Sequence, residues 1–379
     1  MVKAPLRGVA ILGVGLHPFG RFPDKTLPHM ARTAVLEALK DAGVRFRDIQ
    51  IAYFGQVYYE GMSMGEVVLR ALGLTTIPVV NVENACASSS TAFWQAYWGI
   101  ASGLYDIALA FGAERVPRGP VSVTGTASRQ HLLGADHMMA GYALRMRRYM
   151  HDFGAPVEAI AQVAVKAHRN ATLNPYAQYQ KVFTLEEVLT SRMIAEPLTL
   201  YQCCPTSEGA SAAVLCAQEA VSRYTSNPER AIPVVASVLR TTPYQGPRVD
   251  NPSLTTVAAQ EAYEMAGLGP EDVDVVQVHD AATIGEIEQI EHLGLVRRGE
   301  GWIATREGRT EIGGDIPVNT DGGLQAMGHP FGATGVRMLH ELVMQLRWEA
   351  GPRQVRGARV GLAQCSGAGG VCTVHILKR

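Results

Sequence analysis

The chain has 379 residues, of which 47% are hydrophobic, and its formal net charge is −1. A chain of this size and composition can bury a large core and predicts a globular protein of two domains. The near-neutral charge argues against nucleic acid or a membrane surface as partners, and the sequence has no apolar stretch of about 18 residues that could cross a bilayer. The N-terminus leads directly into a strand-like segment without a secretory signal, so we expect a cytoplasmic protein.

The first elements along the chain are repeated in its second half. Residues 34–43 predict a helix that ends at Gly43, and the apolar residues 49–54 predict the strand that follows. Residues 258–267 and 273–278 resemble these two segments, again with a glycine at the end of the helix. Strands that alternate with helices in this way are typical of largely parallel sheets covered by helices. The repeat therefore predicts two related α/β halves.

Each half continues with a turn of small residues, a helix and a strand. In the first half the turn contains Cys86, and the helix and strand are predicted over 89–102 and 106–111. In the second half a glycine-rich loop precedes a helix over 336–348 and a strand over 358–363. The two copies therefore follow the same order of elements, with a small-residue turn in the same place.

An irregular stretch, residues 115–230, separates the two halves and has no counterpart of similar length in the second. We divide the chain into an N-terminal half of residues 1–114 and 205–230, an inserted region of residues 115–204, and a C-terminal half of residues 231–379. Such an insertion commonly forms a lid or a binding surface. Its basic residues could contact phosphates, or they could form a solvated helical surface. They are Arg129, His131, His137, Arg145, Arg147, Arg148 and Lys166.

Two of the six cysteines lie in runs of very small residues that follow apolar segments, Cys86 within 84–90 and Cys365 within 361–370. No Cys-x-x-Cys pair or nearby histidine at ligand spacing accompanies any cysteine, so we expect no metal site. Reducing surroundings also make disulfides unfavourable. Cys86 is predicted at the first turn of a helix, where the helix dipole lowers a thiol pKa from about 8.5 toward neutrality. It is either a nucleophile or a packed apolar residue.

Two histidines are candidates for the same site. His329 lies in a glycine-rich loop, 328–335, in which glycines allow close contact with a ligand and Pro330 restrains the turn. A histidine with a pKa near neutral can take the proton of a cysteine thiol. A phosphate-cradling loop is the alternative, although Lys-Ser/Thr is absent after the glycines. His279 ends the apolar strand 275–278, where α/β proteins place ligand groups, or it is a hydrogen-bonded structural histidine.

Taken in order, these motifs resemble those of the thiolase superfamily, and more narrowly the sterol-carrier-protein-type and acetyl-CoA acetyltransferase-like thiolases. The resemblance covers essentially the whole chain. It is carried by residues 84–88, by the His279-Asp280 pair, and by the segments 328–335 and 365–370. Residues 197–210 also resemble the segment that leads into the last strand of the first half in that subgroup.

The resemblance implies a five-layered αβαβα thiolase fold, built from two similar halves with an inserted loop domain. It implies coenzyme A and acyl-CoA as substrates, with no bound cofactor and no metal. It also implies a homodimer or a dimer of dimers. Some relatives in this subgroup act beside a small partner subunit with a zinc ribbon and an OB-fold, and such a partner is possible here.

The resemblance further implies a role for each site residue in cleaving or forming a 3-oxoacyl-CoA. Cys86 would attack the β-keto carbonyl and become acylated, with His329 as its base. Cys365 would supply or remove the proton on the α-carbon, and His279 would help to hold the enolate oxygen. The backbone N–H groups of Cys86 and of Gly367 or its neighbour would form a second oxyanion hole.

The chain departs from the family pattern after the His-Asp pair, where thiolases commonly carry an aromatic residue. Ala281 and Ala282 stand here instead, so we expect a wider acyl pocket, lined also by Phe331, and a bulky, branched, aromatic or polycyclic acyl group. Three alternatives stay open. They are a retro-aldolase of the same superfamily, in which the cysteines tend to be replaced, a ketoacyl synthase, which lacks a second thiol like Cys365, and a non-catalytic acyl-CoA or lipid carrier.

Overall fold

The computed structural model describes residues 6–58, 60–73, 76–121, 137–242 and 252–379. Arg129 and His131, two of the residues considered for phosphate contacts, lie outside the described residues. Within the described ranges, no helix combines the length and the apolar character needed to span a membrane.

The N-terminal part of the chain alternates strands with helices. In chain order these elements are β1 (Val9–Gly20), α1 (Leu27–Ala42), β2 (Ile51–Gly55), α2 (Met64–Arg70), β3 (Val79–Val82), α3 (Ser88–Ala101) and β4 (Ile107–Arg115). The inserted region follows, with α4 (Met138–Phe153), α5 (Val157–Ala171), α6 (Leu185–Thr190), β5 (Met193–Ala195) and β6 (Leu198–Thr199). Strand β7 (Glu208–Ala217) and the short helix α7 (Val221–Tyr224) come next.

The C-terminal part begins at β8 (Ile232–Thr241) and α8 (Leu254–Ala266). It continues through β9 (Val275–Gln277), α9 (Thr283–His292), α10 (Gly301–Arg306), a π-helical turn (Gly323–Met327), α11 (Phe331–Leu346), β10 (Val360–Gly367) and β11 (Val371–Lys378). Helix α11 begins five residues earlier than the sequence pattern predicts, directly after Pro330, whose fixed φ suits a helix start.

The two repeated helices have the same kind of ends. At α1 the Thr26 hydroxyl accepts a hydrogen bond from the His29 backbone N–H, and at α8 Ser253 does the same for Thr256. Both helices stop at a glycine with φ near +65°, a conformation that other residues adopt only with strain. The repeat predicted from the sequence is confirmed, and both helices start several residues before the repeated segment because these caps lie upstream of it.

Nine strands are hydrogen-bonded in the order β3-β2-β4-β7-β1-β8-β11-β10-β9, and β5 pairs with β6 separately. Strand β2 is parallel to β3 and β4, and β10 is parallel to β9. However, β7 runs antiparallel to β4 and β1, and β11 runs antiparallel to β10 and β8. The expectation of largely parallel sheets is therefore wrong. Strand β11 follows β10 after a tight turn with no crossover helix, and such a turn can join only antiparallel strands.

The sheet divides into two halves that lie on either side of a central helical layer. Strands β1 and β8 join the halves through only three residue pairs, Val9–Ile11 with Ile232–Val234. Helices α3 and α11 pack on each other in the centre, while α1 covers the N-terminal strands and α8 covers the C-terminal strands. A Cβ on Gly335 would lie 2.4 Å from Ser90 Cβ, so the glycine permits this close contact. The predicted five-layered αβαβα fold is confirmed.

Candidate active site

Three side chains that are distant in the sequence meet between the two halves. The Sγ of Cys86 and a ring nitrogen of each of His279 and His329 all lie within 4.8 Å of one another, and all three residues are buried. Cys86 precedes α3, His279 follows β9, and His329 precedes α11. The thiol of Cys365, at the end of β10, donates a hydrogen bond to the Cys86 carbonyl oxygen at 3.3 Å. The four side chains that we predicted to be catalytic thus form one cluster.

The turn that carries Cys86 is held in an unusual conformation by its neighbours. Ala85 has φ of 49°, which few residues other than glycine adopt. Gly367 packs directly against this turn, since a Cβ there would lie 2.2 Å from the Asn84 carbonyl oxygen. The amide groups that face the Cys86 sulfur are its own and that of Ala368. The second amide at the sulfur is therefore that of the residue after Gly367.

The Cys86 thiol is protonated in the resting site. Burial raises its pKa to about 12, although the N–H groups of Cys86 and Ala368 act in the opposite direction. Burial likewise raises the pKa of Cys365 well above its usual value, and the adjacent Cys86 sulfur adds to the effect. The expectation that the helix start lowers the Cys86 pKa toward neutrality is wrong for this state, because loss of water outweighs the partial charge of a few amides. A base must remove the proton.

His329 is the candidate for that base. Its Nδ1 lies 2.8 Å from Thr334 Oγ1, and the Thr334 hydroxyl donates its own hydrogen to the Pro330 carbonyl oxygen at 3.0 Å. With its hydrogen directed to Pro330, the hydroxyl oxygen is placed to accept a hydrogen from Nδ1, and in that tautomer Nε2 is unprotonated. Nε2 finds no hydrogen-bond partner within the described ranges. Burial, and then the charges of His279 and Arg337, hold the pKa of His329 well below its usual value.

His279 is fixed mainly through its backbone. Its N–H donates to Gln364 Oε1 at 3.2 Å, and its ring meets that of His329 edge to face at 5.2 Å. Burial lowers the pKa of His279 to about 3, and Nε2 has no partner among the described residues. The neighbouring Asp280 accepts from the Leu324 N–H at 2.7 Å, and burial raises its pKa well above the usual range. Asp280 thus holds the backbone at Leu324 close to His279.

Two cavities adjoin this cluster. The smaller, about 290 Å³, is lined by Cys86, His279 and the turn 366–369 on one side and by Tyr142 of α4 on the other. The larger, about 620 Å³, is lined by Phe331, by Cys203 and Cys204, and by residues of the inserted region. Both include His137 and Met138 in their walls, so they meet at the start of α4.

The three residues predicted to line the acyl pocket differ in position. Phe331 lines the larger cavity, and its ring centre lies 4.6 Å from that of His329. Ala281 and Ala282 are fully buried and, among the described residues, do not contribute to the walls of either cavity. The Cys204 N–H donates to the Ala281 carbonyl oxygen at 2.9 Å. The two alanines therefore lie behind the cavity wall, next to Cys203 and Cys204.

The basic residues considered for phosphate contacts have several different environments. The suggestion that Lys166 could contact a phosphate is wrong, because its side chain is buried and paired with Glu286. Arg147 and Arg148 pair with Glu196 and Asp152 on the surface. Each of these two arginines already has an acidic partner.

Two others adjoin the candidate site. Arg145 pairs with Glu288, stacks over the Tyr142 ring at 4.9 Å and lines the smaller cavity. His137 lines both cavities.

Several site residues were not assigned a role from the sequence. Thr334 contacts the candidate base, and its place five residues after His329 in the glycine-rich motif could have indicated this contact. Ser207 accepts from the His329 N–H at 2.9 Å, but it lies 122 residues away along the chain. Tyr142 also lines the smaller cavity. No local pattern distinguishes Ser207 and Tyr142, because only the tertiary fold brings them to the site.

Comparison with known proteins assigns the family. The thiolase N-terminal domain matches residues 9–219, and the thiolase C-terminal domain-like family matches residues 249–379. The chain is 39% identical to an acetyl-CoA acetyltransferase of Methanothermobacter thermautotrophicus, over 99% of the chain and 100% of that protein. It is 38% identical to the benzoylsuccinyl-CoA thiolase subunit BbsB of Thauera aromatica, over 96% and 95%.

The solved structure of the Ltp2-ChsH2(DUF35) aldolase matches with a TM-score of 0.86 and 26% identity, over 98% of the chain and 97% of the matched chain. The chain belongs to the thiolase family. Within that family it is similar to acetyl-CoA acetyltransferases and related thiolases, and it is an acyltransferase enzyme.

Proposed function

We propose that this thiolase cleaves a 3-oxoacyl-CoA with coenzyme A, or catalyses the reverse condensation, through an acyl-Cys86 intermediate. The observation that carries the proposal is the arrangement of two thiols around one neutral base. A ring nitrogen of His329 lies within 4.8 Å of the Cys86 sulfur, and the Cys365 thiol contacts the Cys86 carbonyl oxygen.

In the cleavage direction, Nε2 of His329 takes the proton of the Cys86 thiol as the sulfur attacks the 3-oxo carbon. The N–H groups of Cys86 and Ala368 face that sulfur and stabilise the resulting oxyanion. When the carbonyl re-forms, the bond between C2 and C3 breaks and its electron pair passes to the departing thioester enolate. The Cys365 thiol protonates C2, while His279 holds the enolate oxygen through a water.

The second half of the cycle restores the enzyme. The Cys365 thiolate takes the proton of the incoming coenzyme A thiol, and the resulting thiolate attacks the acyl-Cys86 carbonyl. The Cys86 thiolate leaves and recovers its proton from the His329 imidazolium. This sequence is a ping-pong cycle in which coenzyme A is a co-substrate, and no step requires a metal or a bound cofactor.

The size of the larger cavity supports a bulky, branched, aromatic or polycyclic acyl group. Its volume of about 620 Å³ falls within the range of about 300–1,000 Å³ that holds drug-sized ligands. Phe331 at its inner end lies against the base, so an acyl group held on Cys86 would extend along this wall. A kinetic panel of 3-oxoacyl-CoA substrates tests this point. Higher kcat/KM for acetoacetyl-CoA than for bulky substrates would contradict it.

Intact-mass measurement tests the intermediate. Incubation with a 3-oxoacyl-CoA in the absence of coenzyme A should add the acyl mass to Cys86, and added coenzyme A should remove it. Cys365→Ala should still accept an acyl group from a simple thioester but should lose carbon–carbon bond formation. Cys216→Ala is the matched control, since Cys216 is buried on β7 and packs in the core. An unmodified mass in the wild-type protein would instead favour an acyl-CoA carrier.

A retro-aldolase is the second candidate, because the similar Ltp2-ChsH2(DUF35) structure is an aldolase. Such an enzyme would release an aldehyde or ketone from a 3-hydroxyacyl-CoA without acylating a cysteine. The presence of both Cys86 and Cys365 favours the thiolase reaction, since an aldol cleavage needs no thiol nucleophile. Detection of a carbonyl product without an acyl adduct would reverse this preference.

The remaining parts of the proposal concern surroundings and assembly. We propose a cytoplasmic homodimer, or a dimer of dimers, that acts in lipid degradation, with the three-part division of the chain given above. A small partner subunit with a zinc ribbon and an OB-fold is part of the proposal. The relative BbsB is named as a subunit, and the similar aldolase structure is named for two components, which supports testing for a partner by co-purification.

A further inference from the structure

The larger cavity combines apolar walls with positive charge. Its walls include Phe331, Met138, Met139 and Leu200, and three arginines also line it: Arg21, Arg118 and Arg192. None of the described residues that line this cavity is acidic. A neutral acyl chain offers no partner to these guanidinium groups, whereas an anionic group on the ligand could pair with them.

The three arginines differ in how far their charges are balanced. The Arg21 guanidinium donates to the Val116 carbonyl oxygen at 2.7 Å and lies 3.4 Å from a Glu208 carboxylate oxygen. Arg118 and Arg192 form no side-chain hydrogen bond or ion pair with any residue in the described ranges. These two guanidinium groups are therefore available to an anionic ligand, whereas Arg21 already has partners.

The positions of these groups give the cavity a direction. Phe331 is buried and its ring centre lies 4.6 Å from that of His329, so it marks the inner end next to the reacting atoms. Arg118 and Arg192 are both exposed, so they mark the solvent end. Both arginines belong to the inserted region, Arg118 shortly after β4 and Arg192 immediately before β5. Going outward from the reacting atoms, a ligand in this cavity would contact apolar side chains and then the two free guanidinium groups.

We propose that the acyl arm of the substrate ends in a carboxylate, which Arg118 and Arg192 bind. The substrate is thus a 3-oxoacyl-CoA whose chain is apolar near C3 and carries an anionic group at its far end. This inference rests on the proposed function, since it takes the larger cavity as the site of the acyl arm. Paired guanidinium and carboxylate groups form charge-assisted, often bidentate hydrogen bonds, which select the carboxylate over a neutral ester.

Coenzyme A phosphates are the other source of negative charge, and the arrangement of the cavities argues against them here. The thioester end must reach Cys86 and His279, which line the smaller cavity together with the glycine-rich turn 366–369. The pantetheine arm therefore fits the smaller cavity, and Arg145 at its wall is the nearer cation for the coenzyme. The larger cavity is left for the acyl arm.

Binding of two matched thioether analogues tests the proposal without turnover. In one, coenzyme A carries an ω-carboxyalkyl chain on sulfur, and in the other the same chain ends in a methyl ester. Calorimetric titration of the wild-type enzyme should give a Kd at least about tenfold lower for the carboxylate, a ratio that shrinks as salt is added. Equal Kd values for the two analogues would overturn the proposal.

Variants then assign the effect to the two arginines. Arg118→Gln with Arg192→Gln should remove the preference for the carboxylate while leaving the Kd of the ester within about twofold. Arg356→Gln is the control, because Arg356 is also exposed but lies between α11 and β10, away from both cavities. If the double variant weakens both analogues and free coenzyme A alike, the arginines bind the coenzyme and the proposal is overturned.

Turnover in the same preparations separates this inference from the proposed function. The corresponding 3-oxoacyl-CoA substrates, as carboxylate and as methyl ester, are assayed for cleavage by coenzyme A. Cleavage of both with no preference for the carboxylate would overturn the inference alone. Absence of cleavage together with a retained binding preference would refute the thiolase reaction and leave the carboxylate site standing.

Discussion

Replacement of Thr334 by valine isolates the hydrogen bond that sets the tautomer of the base. Valine has nearly the same shape as threonine but no hydroxyl, so the buried Nδ1–H of His329 would lose its acceptor at 2.8 Å. A buried donor left without a partner costs about 1–3 kcal/mol. The other tautomer, with its hydrogen on Nε2, avoids this cost by pointing the hydrogen toward the cavity. That tautomer cannot accept the proton of Cys86.

The expected loss follows from this free energy. A shift of about 1–3 kcal/mol toward the inactive tautomer lowers kcat/KM about fivefold to 150-fold. The substrate contacts are unchanged, so the loss should fall on kcat rather than KM. Steady-state thiolysis of a 3-oxoacyl-CoA measures both constants, and thermal unfolding shows that the variant is folded.

Thr334→Ser is the matched control, since serine keeps a hydroxyl oxygen at the same position and should retain most of the activity. The nitrogen chemical shifts of labelled His329 report the tautomer directly and should move in the valine variant alone. Wild-type kcat/KM in Thr334→Val would refute the reasoning, because the base would then be oriented by some other contact. Equal losses in the valine and serine variants would also contradict it.

Three further predictions concern packing and protonation. Gly367→Ala should reduce kcat/KM severely, because the added Cβ would lie 2.2 Å from the Asn84 carbonyl oxygen and would displace the Cys86 turn. Gly313→Ala is the control: a Cβ at Gly313 would point into open space, so activity and melting temperature should stay unchanged. Alkylation of Cys86 by iodoacetamide should accelerate up to at least about pH 10 without a plateau near neutrality, since burial raises its pKa to about 12. Burial lowers the pKa of His375 to about 3, so below about pH 6.5 this histidine is protonated in the unfolded state but not in the folded state. The contribution of His375 to the free energy of unfolding should therefore fall by about 1.4 kcal/mol per pH unit as the pH decreases toward 3. Denaturant unfolding of His375→Gln between pH 7 and about 4 should show a correspondingly shallower loss, and an unchanged slope would contradict this assignment.

The sequence by itself determined the family, the repeated helices and the candidate catalytic side chains. These features are local: a glycine that ends a helix, an apolar strand, or a short motif around Cys86 or His329 can be interpreted without knowing what lies next to it. The order of such motifs along the chain then sufficed to indicate the thiolase fold. Local patterns did not reveal the antiparallel course of β7 and β11, since strand direction depends on how each connection returns to the sheet.

Only the tertiary structure decided how the candidate residues act. Burial from all sides sets the protonation of Cys86 and outweighs the local effect of the helix start on which the sequence prediction depended. The acceptor that fixes the His329 tautomer, and the Ala368 amide that faces the nucleophile, depend on distances of a few ångströms between segments far apart in the chain. The same is true of Arg118 and Arg192, which are far apart in the chain and line one cavity in the folded protein.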